Sequence, residues 1–251
     1  MSSRYRASVP ITDDWQHFRF EVADGVATVT LDRPEKLNPL TFESYADLRD
    51  LLHELPHRGD TRVLVIRGEG KGFCGGGDVI RAMRECPIPI IAGIQGIAAG
   101  AGSVVAIAAD FRICTPQARF AFLFTKVGLS GGDMGAAYLL PRLVGYGRAT
   151  ELLMLGDTID AETADRYGLV HELVDDADLD DAVRRLARRL ADGPVLGYAQ
   201  TKALITRELD MSLGASVELD AMTQALLMTT EDHAEFHAAF NDRRPPHWKG
   251  R

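Results

Sequence analysis

Pro87-Ile-Pro-Ile-Ile-Ala-Gly-Ile-Gln-Gly-Ile-Ala-Ala-Gly-Ala-Gly-Ser-Val-Val-Ala-Ile-Ala-Ala-Asp110 is the stretch on which the reading of this chain turns. Its apolar run at 88–94 predicts a short buried strand, followed by a tight turn of small residues. An apolar helix is expected to open near Gly100. A strand, a glycine-rich turn and a helix start aim several backbone N–H groups at one point, with the positive end of the helix dipole behind them. Such a turn can hold an anion, or an oxyanion that forms only during reaction. Glycine and alanine also let a helix lie close on a strand, so close packing is the alternative use of the same residues.

Around this segment lies a chain of 251 residues, 46% hydrophobic and 25% charged, the composition of an ordinary soluble domain with room for a substantial core. A net charge of -8 without a basic stripe argues against nucleic acid as a partner. No secretory signal is read in residues 1–14, and no run is uniformly apolar enough to span a bilayer. Cys74, Cys86 and Cys114 have no metal-ligand spacing and suit reduced thiols, so a cytoplasmic protein is expected.

Upstream, alternation at 18–21 and 26–31 around Ala23-Asp-Gly25 predicts a hairpin. Thr41 is expected to cap a helix with Tyr45, Leu48, Leu51 and Leu52 on one face. Residues 62–67 form a continuous apolar strand, as in a sheet covered on both faces, and run into the glycine-rich loop 68–78. Downstream, strands are expected at 111–115, 120–122 and 170–174. Helices are expected after the glycine-rich loop 126–136, at 148–155, at 161–167 with Asp160 as cap, at 178–191, and beyond Gly193. Strands alternate with helices early and helices alone follow, which predicts an α/β core (1–190) and a helical C-terminal region (191–251).

Several motifs are present only by letter. His53-Glu-Leu-Pro-His57 matches a zinc-protease helix, but Pro56 is expected to break the turn that both histidines need. His233 and His237 lack a third ligand. Gly100-Ala-Gly102 fails as a dinucleotide fingerprint because Val105 occupies the third small position. No metal and no separate cofactor is expected.

Taken together, Arg33-Pro-Glu-Lys-Leu-Asn38, Phe73-Cys-Gly-Gly-Gly-Asp78, Pro89-Ile-Ile-Ala-Gly-Ile-Gln-Gly96, Ala99-Gly-Ala-Gly102, Asp110, Pro141-Arg-Leu-Val-Gly145, Ala164 and Gly168-Leu-Val170 resemble the crotonase (enoyl-CoA hydratase/isomerase) superfamily. The resemblance covers nearly the whole chain. It implies a crotonase-like stacked ββα superhelix, a C-terminal helical trimerisation or capping region, a homotrimer or hexamer, and an acyl-CoA thioester as substrate. By motif match the oxyanion donors are the backbone N–H groups of Gly77 and Ala101. Coenzyme A, as part of the substrate, is expected across Arg33, Lys36, Leu37 and the loop holding Gly75 and Asp78.

Two departures from the family pattern matter. The positions of the two hydratase glutamates are taken by Val104 and Phe124, neither of which transfers a proton. Asp133 falls, after one inserted residue, near the catalytic aspartate of the epoxyphenylacetyl-CoA isomerase and chlorobenzoyl-CoA dehalogenase branches. In an apolar site its carboxyl would be pushed up and suited to proton shuttling; capping the next helix is the alternative. Lys126 and Thr125 neighbour it, and Val104, Phe124 and Tyr138 are expected to line the acyl pocket. The resemblance therefore implies isomerase-type chemistry through an enolate. An atypical hydratase, a hydrolase or lyase of a CoA-linked ring, and a non-catalytic CoA-binding homologue stand as alternatives. Secondly, residues 78–87 are far shorter than the family's usual segment. Either the loop is naturally short, leaving an open pocket, or a mobile stretch is missing; the abrupt join points to the second, because a parallel crossover takes about a dozen residues.

Overall fold

The computed structural model describes residues 12–73 and 79–251. A hairpin opens the fold: β1 (Arg19–Ala23) pairs antiparallel with β2 (Val26–Leu31), in register from Arg19↔Thr30 to Ala23↔Val26. Asp24 and Gly25 both have positive φ, the geometry that matches a two-residue turn to strand twist. Helix α1 (Phe42–Arg58) starts at a reciprocal cap between Thr41 and Ser44, a device that typically contributes about 1 kcal/mol. Then come β3 (Val63–Gly68), α2 (Val79–Glu85), β4 (Ile90–Ile94), β5 (Ile97–Ala99), α3 (Ala101–Ala108), β6 (Phe111–Cys114) and β7 (Arg119–Ala121). Helices α4 (Ala136–Val144) and α5 (Tyr146–Leu155) precede β8 (Thr158–Asp160), α6 (Ala161–Arg166) and β9 (Glu172–Leu173). Four helices end the chain: α7 (Leu179–Ala191), α8 (Val195–Glu208), α9 (Leu213–Leu227) and α10 (Glu231–Asp242).

The main sheet is six-stranded in the order β1-β2-β3-β4-β6-β9, parallel from β2 onward. Successive strand residues face opposite sides, so its two faces sort cleanly. Val63, Val65, Ile91 and Ile113 pack with Leu179, Ala182, Ala187 and Leu190 of α7. Leu64, Ile66, Ile90, Ala92 and Ile94 point the other way, into the larger core with α1 and α3. Covering on both sides explains the unbroken apolar runs of β3 and β4.

Structure departs from expectation at four places. The strand predicted at 88–94 begins at Ile90, and β5 leaves it for a second sheet, β5-β7-β8. Strand β8 was not anticipated: Thr158–Asp160 has almost no apolar signal, and only its antiparallel pairing with β7 makes it a strand. The strand at 170–174 shrinks to Glu172–Leu173. Helix α1 runs through Pro56 to Arg58, so that proline does not separate His53 from His57. A proline in the last turn forfeits one helical bond. There, Arg58 pairs with Glu54 and Asp60, holding the turn in place.

The β3–β4 crossover also bears on the short segment after Asp78. It runs from residue 69 to residue 89 and includes α2, which packs on α1 and α3. That is longer than the dozen or so residues a parallel connection requires, so no missing stretch is needed to close it.

Candidate active site

Two chain segments enter the site side by side. Gly72 forms a parallel bridge with Ile97, and the Phe73 N–H donates to the Ile97 carbonyl at 3.1 Å. One segment then reaches residues 74–78, and with them Gly75, Gly77 and Asp78, which lie outside the described residues. The other passes through β5 to Gly100, whose φ of 55 and ψ of -121 are conformationally costly for any residue with a β-carbon. Gly100 is the N-cap of α3, and its own N–H is spent on the Ala121 carbonyl at 2.7 Å. Ala101 is therefore the first helical residue. Among the described residues its N–H has no backbone acceptor, as expected for the open first turn of a helix.

Ser103 holds this turn still. Fully buried, its hydroxyl lies 2.7 Å from the Ala98 carbonyl and accepts the Ala121 N–H at 3.2 Å, joining β5, α3 and β7. Gln95 and Asn38 brace the facing loop. Gln95 donates to the carbonyls of Gly68 (2.6 Å) and Gly70 (2.9 Å). Asn38 donates to those of Glu69 (2.8 Å) and Gly72 (2.7 Å), and accepts the Arg33 N–H at 2.8 Å. A β-carbon on Gly96 would meet the Lys71 carbonyl at 1.9 Å, so glycine is required for that approach. None of these braces was singled out from sequence. The available signal was a lone polar side chain inside an apolar or glycine-rich run.

Arg33, Lys36 and Leu37 sit on the loop that Asn38 anchors. Leu37 is 47% exposed and in the left-handed region, and its Cα and Cβ lie where a Gly72 side chain would project. Leu37 is thus brought against the segment entering 74–78, with Arg33 and Lys36 on the same loop.

Asp133 lies in a 3-10 turn (Asp133–Gly135) that contacts α3. It is exposed to solvent, not enclosed by apolar groups, and it caps neither its own turn nor α4, where Gly135 is the N-cap. The capping alternative therefore has no geometric basis. Val104 is fully buried and Phe124 is 8% exposed; both belong to the main core. Tyr138 instead faces a cleft of about 350 Å³, lined mainly by Ile80, Arg84, Met134, Gly135, Leu139 and Leu209. Its hydroxyl donates to Asp210 at 2.8 Å, a bond that pushes the phenol pKa up. Lys126 pairs with Asp157 at 2.7 Å, and the buried Thr125 hydroxyl has no partner among the described residues.

Other candidates do not converge. Cys86 and Cys114 are buried free thiols; burial raises both, Cys114 up to about 12, which leaves them protonated and inert. Glu54 is held by Arg58 at 3.0 Å instead of facing the two nearby histidines. His233 and His237 stack edge-on at 4.7 Å on α10. Among the described residues no cluster of metal-ligating side chains forms, and no helix is long and apolar enough to cross a membrane.

Known proteins share this fold. Two family models described as enoyl-CoA hydratase/isomerase match residues 26–85 and 78–251. The 1,2-epoxyphenylacetyl-CoA isomerase of Escherichia coli K12 is 33% identical over 92% of this chain and 97% of its own. The (E)-benzylidenesuccinyl-CoA hydratase of Thauera aromatica is 36% identical over 92% of this chain and 98% of its own. A crystal structure of a Streptomyces coelicolor A3(2) chain assigned to the enoyl-CoA hydratases is 60% identical, with a TM-score of 0.94 over 100% of both chains. Motif order, the two-sheet α/β architecture, and these matches agree: the chain belongs to the enoyl-CoA hydratase/isomerase family, of crotonase fold.

Proposed function

We propose that the protein is an acyl-CoA enzyme that passes through an oxyanion-stabilised enolate, with isomerase-type chemistry. Removing a proton beside a thioester carbonyl places negative charge on its oxygen, and a fixed N–H donor lowers that barrier by about 3 kcal/mol. The donors are the amides of Gly77 and Ala101. The observation that carries this reading is the parallel register of Gly72 with Ile97. From the Phe73–Ile97 hydrogen bond, each chain advances four residues to its donor, and Ala101 stands at the open start of α3. Coenzyme A crosses Arg33, Lys36, Leu37 and the Gly75–Asp78 loop, with cations toward its phosphates on an otherwise acidic protein.

Asp133 is the acid/base. Among the described residues its side chain makes no ion pair and caps no helix, and its turn lies against the helix that begins at Ala101. With Val104 and Phe124 in the core there is no paired carboxylate at those positions to hold water, which favours moving a proton over adding water. The acyl group is aromatic or otherwise bulky. The cleft beside Met134 and Tyr138 has room for a ring, and the two named relatives act on aryl-substituted CoA esters. Apolar side chains left exposed on the C-terminal helices, among them Leu213, Val217, Met222, Leu226 and Phe240, support burial in a homotrimer or hexamer, with residues 191–251 as the assembling region. The buried free thiols suit a cytoplasmic setting.

The test is exchange of the substrate α-proton with deuterated solvent, read by mass spectrometry across a panel of enoyl- and aryl-CoA esters. Exchange that Asp133→Asn abolishes supports the reading, and undiminished exchange removes Asp133 from it. Water addition in the panel marks a hydratase, ring opening or cleavage a hydrolase or lyase. CoA binding without turnover or exchange marks a non-catalytic homologue.

A further inference from the structure

A charged cluster lies at the far end of α3 from Ala101. Asp110 accepts from Arg84 of α2 at 3.1 Å and from Lys202 of α8 at 2.7 Å, and it also accepts the Ile90 N–H at the start of β4 at 2.8 Å. Its own N–H returns to the Ile90 carbonyl at 2.9 Å. Arg84 reaches the Thr206 hydroxyl of α8 at 2.9 Å and the Ala108 carbonyl at 3.4 Å. Lys202 donates to the Ile88 carbonyl at 3.0 Å. These side chains are largely withdrawn from solvent: Lys202 is 7%, Asp110 16% and Arg84 20% exposed. Two cations thus share one carboxylate, and the surplus positive charge sits where the helix dipole of α3 is negative.

Three of the four elements tied here adjoin the candidate oxyanion segments in the chain. Helix α2 emerges directly from residues 74–78, α3 begins with Ala101, and β4 feeds the turn that ends at Gly100. Only α8 comes from the C-terminal region. We propose that Arg84, Asp110 and Lys202 are positioning residues: they set α2 against α3, whose first residue carries the Ala101 donor, and they make this register depend on the seating of α8. The proposal rests on the oxyanion reading above. A displacement of about 1 Å in a reacting geometry can cost on the order of 100-fold in rate, so Asp110 and Lys202, outside the acyl cleft that Arg84 borders, can still govern turnover.

The probe is a push–pull cinnamoyl-CoA thioester, whose absorption moves to the red when its carbonyl accepts fixed hydrogen bonds; it reports on the donors without turnover. Wild type, Lys202→Met, Lys202→Arg and Thr206→Val are compared as full-length chains of verified melting temperature. Lys202→Met should bind the probe within about 3-fold of wild type, lose most of the red shift, and lower kcat by 10- to 100-fold with little change in KM. Lys202→Arg should recover most of both signals, because it restores a cation beside Asp110. Thr206→Val removes the bond to Arg84 at a residue that also borders the acyl cleft, so a partial loss of the red shift and of kcat with KM unchanged is expected, and that split decides the matter if Lys202→Met does not fold. Folded variants that keep the full shift and full kcat overturn the positioning role and leave the oxyanion reading standing. Wild type that binds the probe with no red shift overturns both.

Discussion

Two glycine-rich turns lead into helices at the candidate site, and they differ in how much they leave exposed. The turn before α3 is braced from below: Gly96 has no room for a methyl group, and Ser103 is fully buried and bonded to two neighbouring strands. In the turn before α4, Gly131 is held as tightly against the Leu153 carbonyl, but Leu129, Ser130, Gly132, Asp133 and Gly135 are all exposed, and Met134 takes a left-handed conformation. The difference suits the chemistry proposed for each. An oxyanion donor works only if it is already in place when charge appears. A proton carrier has to meet different substrate positions, and it gains its dry surroundings when an acyl group covers it.

Substitutions at the two turns should separate these roles. Asp133→Asn should lower kcat by about 10²- to 10⁴-fold, the usual contribution of a general acid/base. Because the side chain is exposed and uncommitted, its stability should stay within about 0.5 kcal/mol of wild type by thermal melting. A large stability loss instead would place Asp133 in the scaffold. Ala101→Pro deletes the proposed donor at the first helical position, where proline is tolerated. It should cost about 10²- to 10³-fold in kcat with the helix intact by circular dichroism. Unchanged kcat would dissolve the contrast between the turns, since the braced one would then be mere scaffold.

Smaller effects sharpen it. Ser103→Ala strips the brace under α3 and leaves the Ala121 N–H unpaired, so denaturant titration should show a loss of about 1–3 kcal/mol. Gly100→Ala meets no atom within 4 Å but must hold a positive φ, at a similar cost of about 1–3 kcal/mol. The smallest change concerns a control far from both turns. Arg244 and the His247 N–H hold the Glu235 carboxyl down to about 2, against an ordinary value of 4.5. The native value is the depressed one, so the bond stabilises above about pH 4.5 and is lost as pH falls from there toward 2. Glu235→Gln should flatten that acid limb without altering turnover at neutral pH.

Much of this site is legible in order along the chain. The apolar run of β3, the cap at Thr41, the start of α3 after Gly100 and the cap at Asp160 all follow from local pattern and are found where expected, and β4 differs only in starting two residues later. Local pattern fails for β8, whose three residues are ordered by their neighbour β7, and for Pro56, which side-chain ties carry inside α1. It also fails for Asn38, Gln95 and Ser103, because a polar letter in an apolar run does not say which distant carbonyl it will meet.

What the amino-acid order decides alone is therefore the succession of elements, the family, and which residue types are available for chemistry. These depend on periodicity, on turn conformations only glycine adopts easily, and on motifs contiguous in the chain. What only the tertiary structure decides is proximity: the side-by-side entry of residues 73 and 97, the exposure of Asp133, and the meeting of Arg84, Asp110 and Lys202. Each joins residues far apart in the chain, or depends on what leaves a residue uncovered, and no local propensity contains that information.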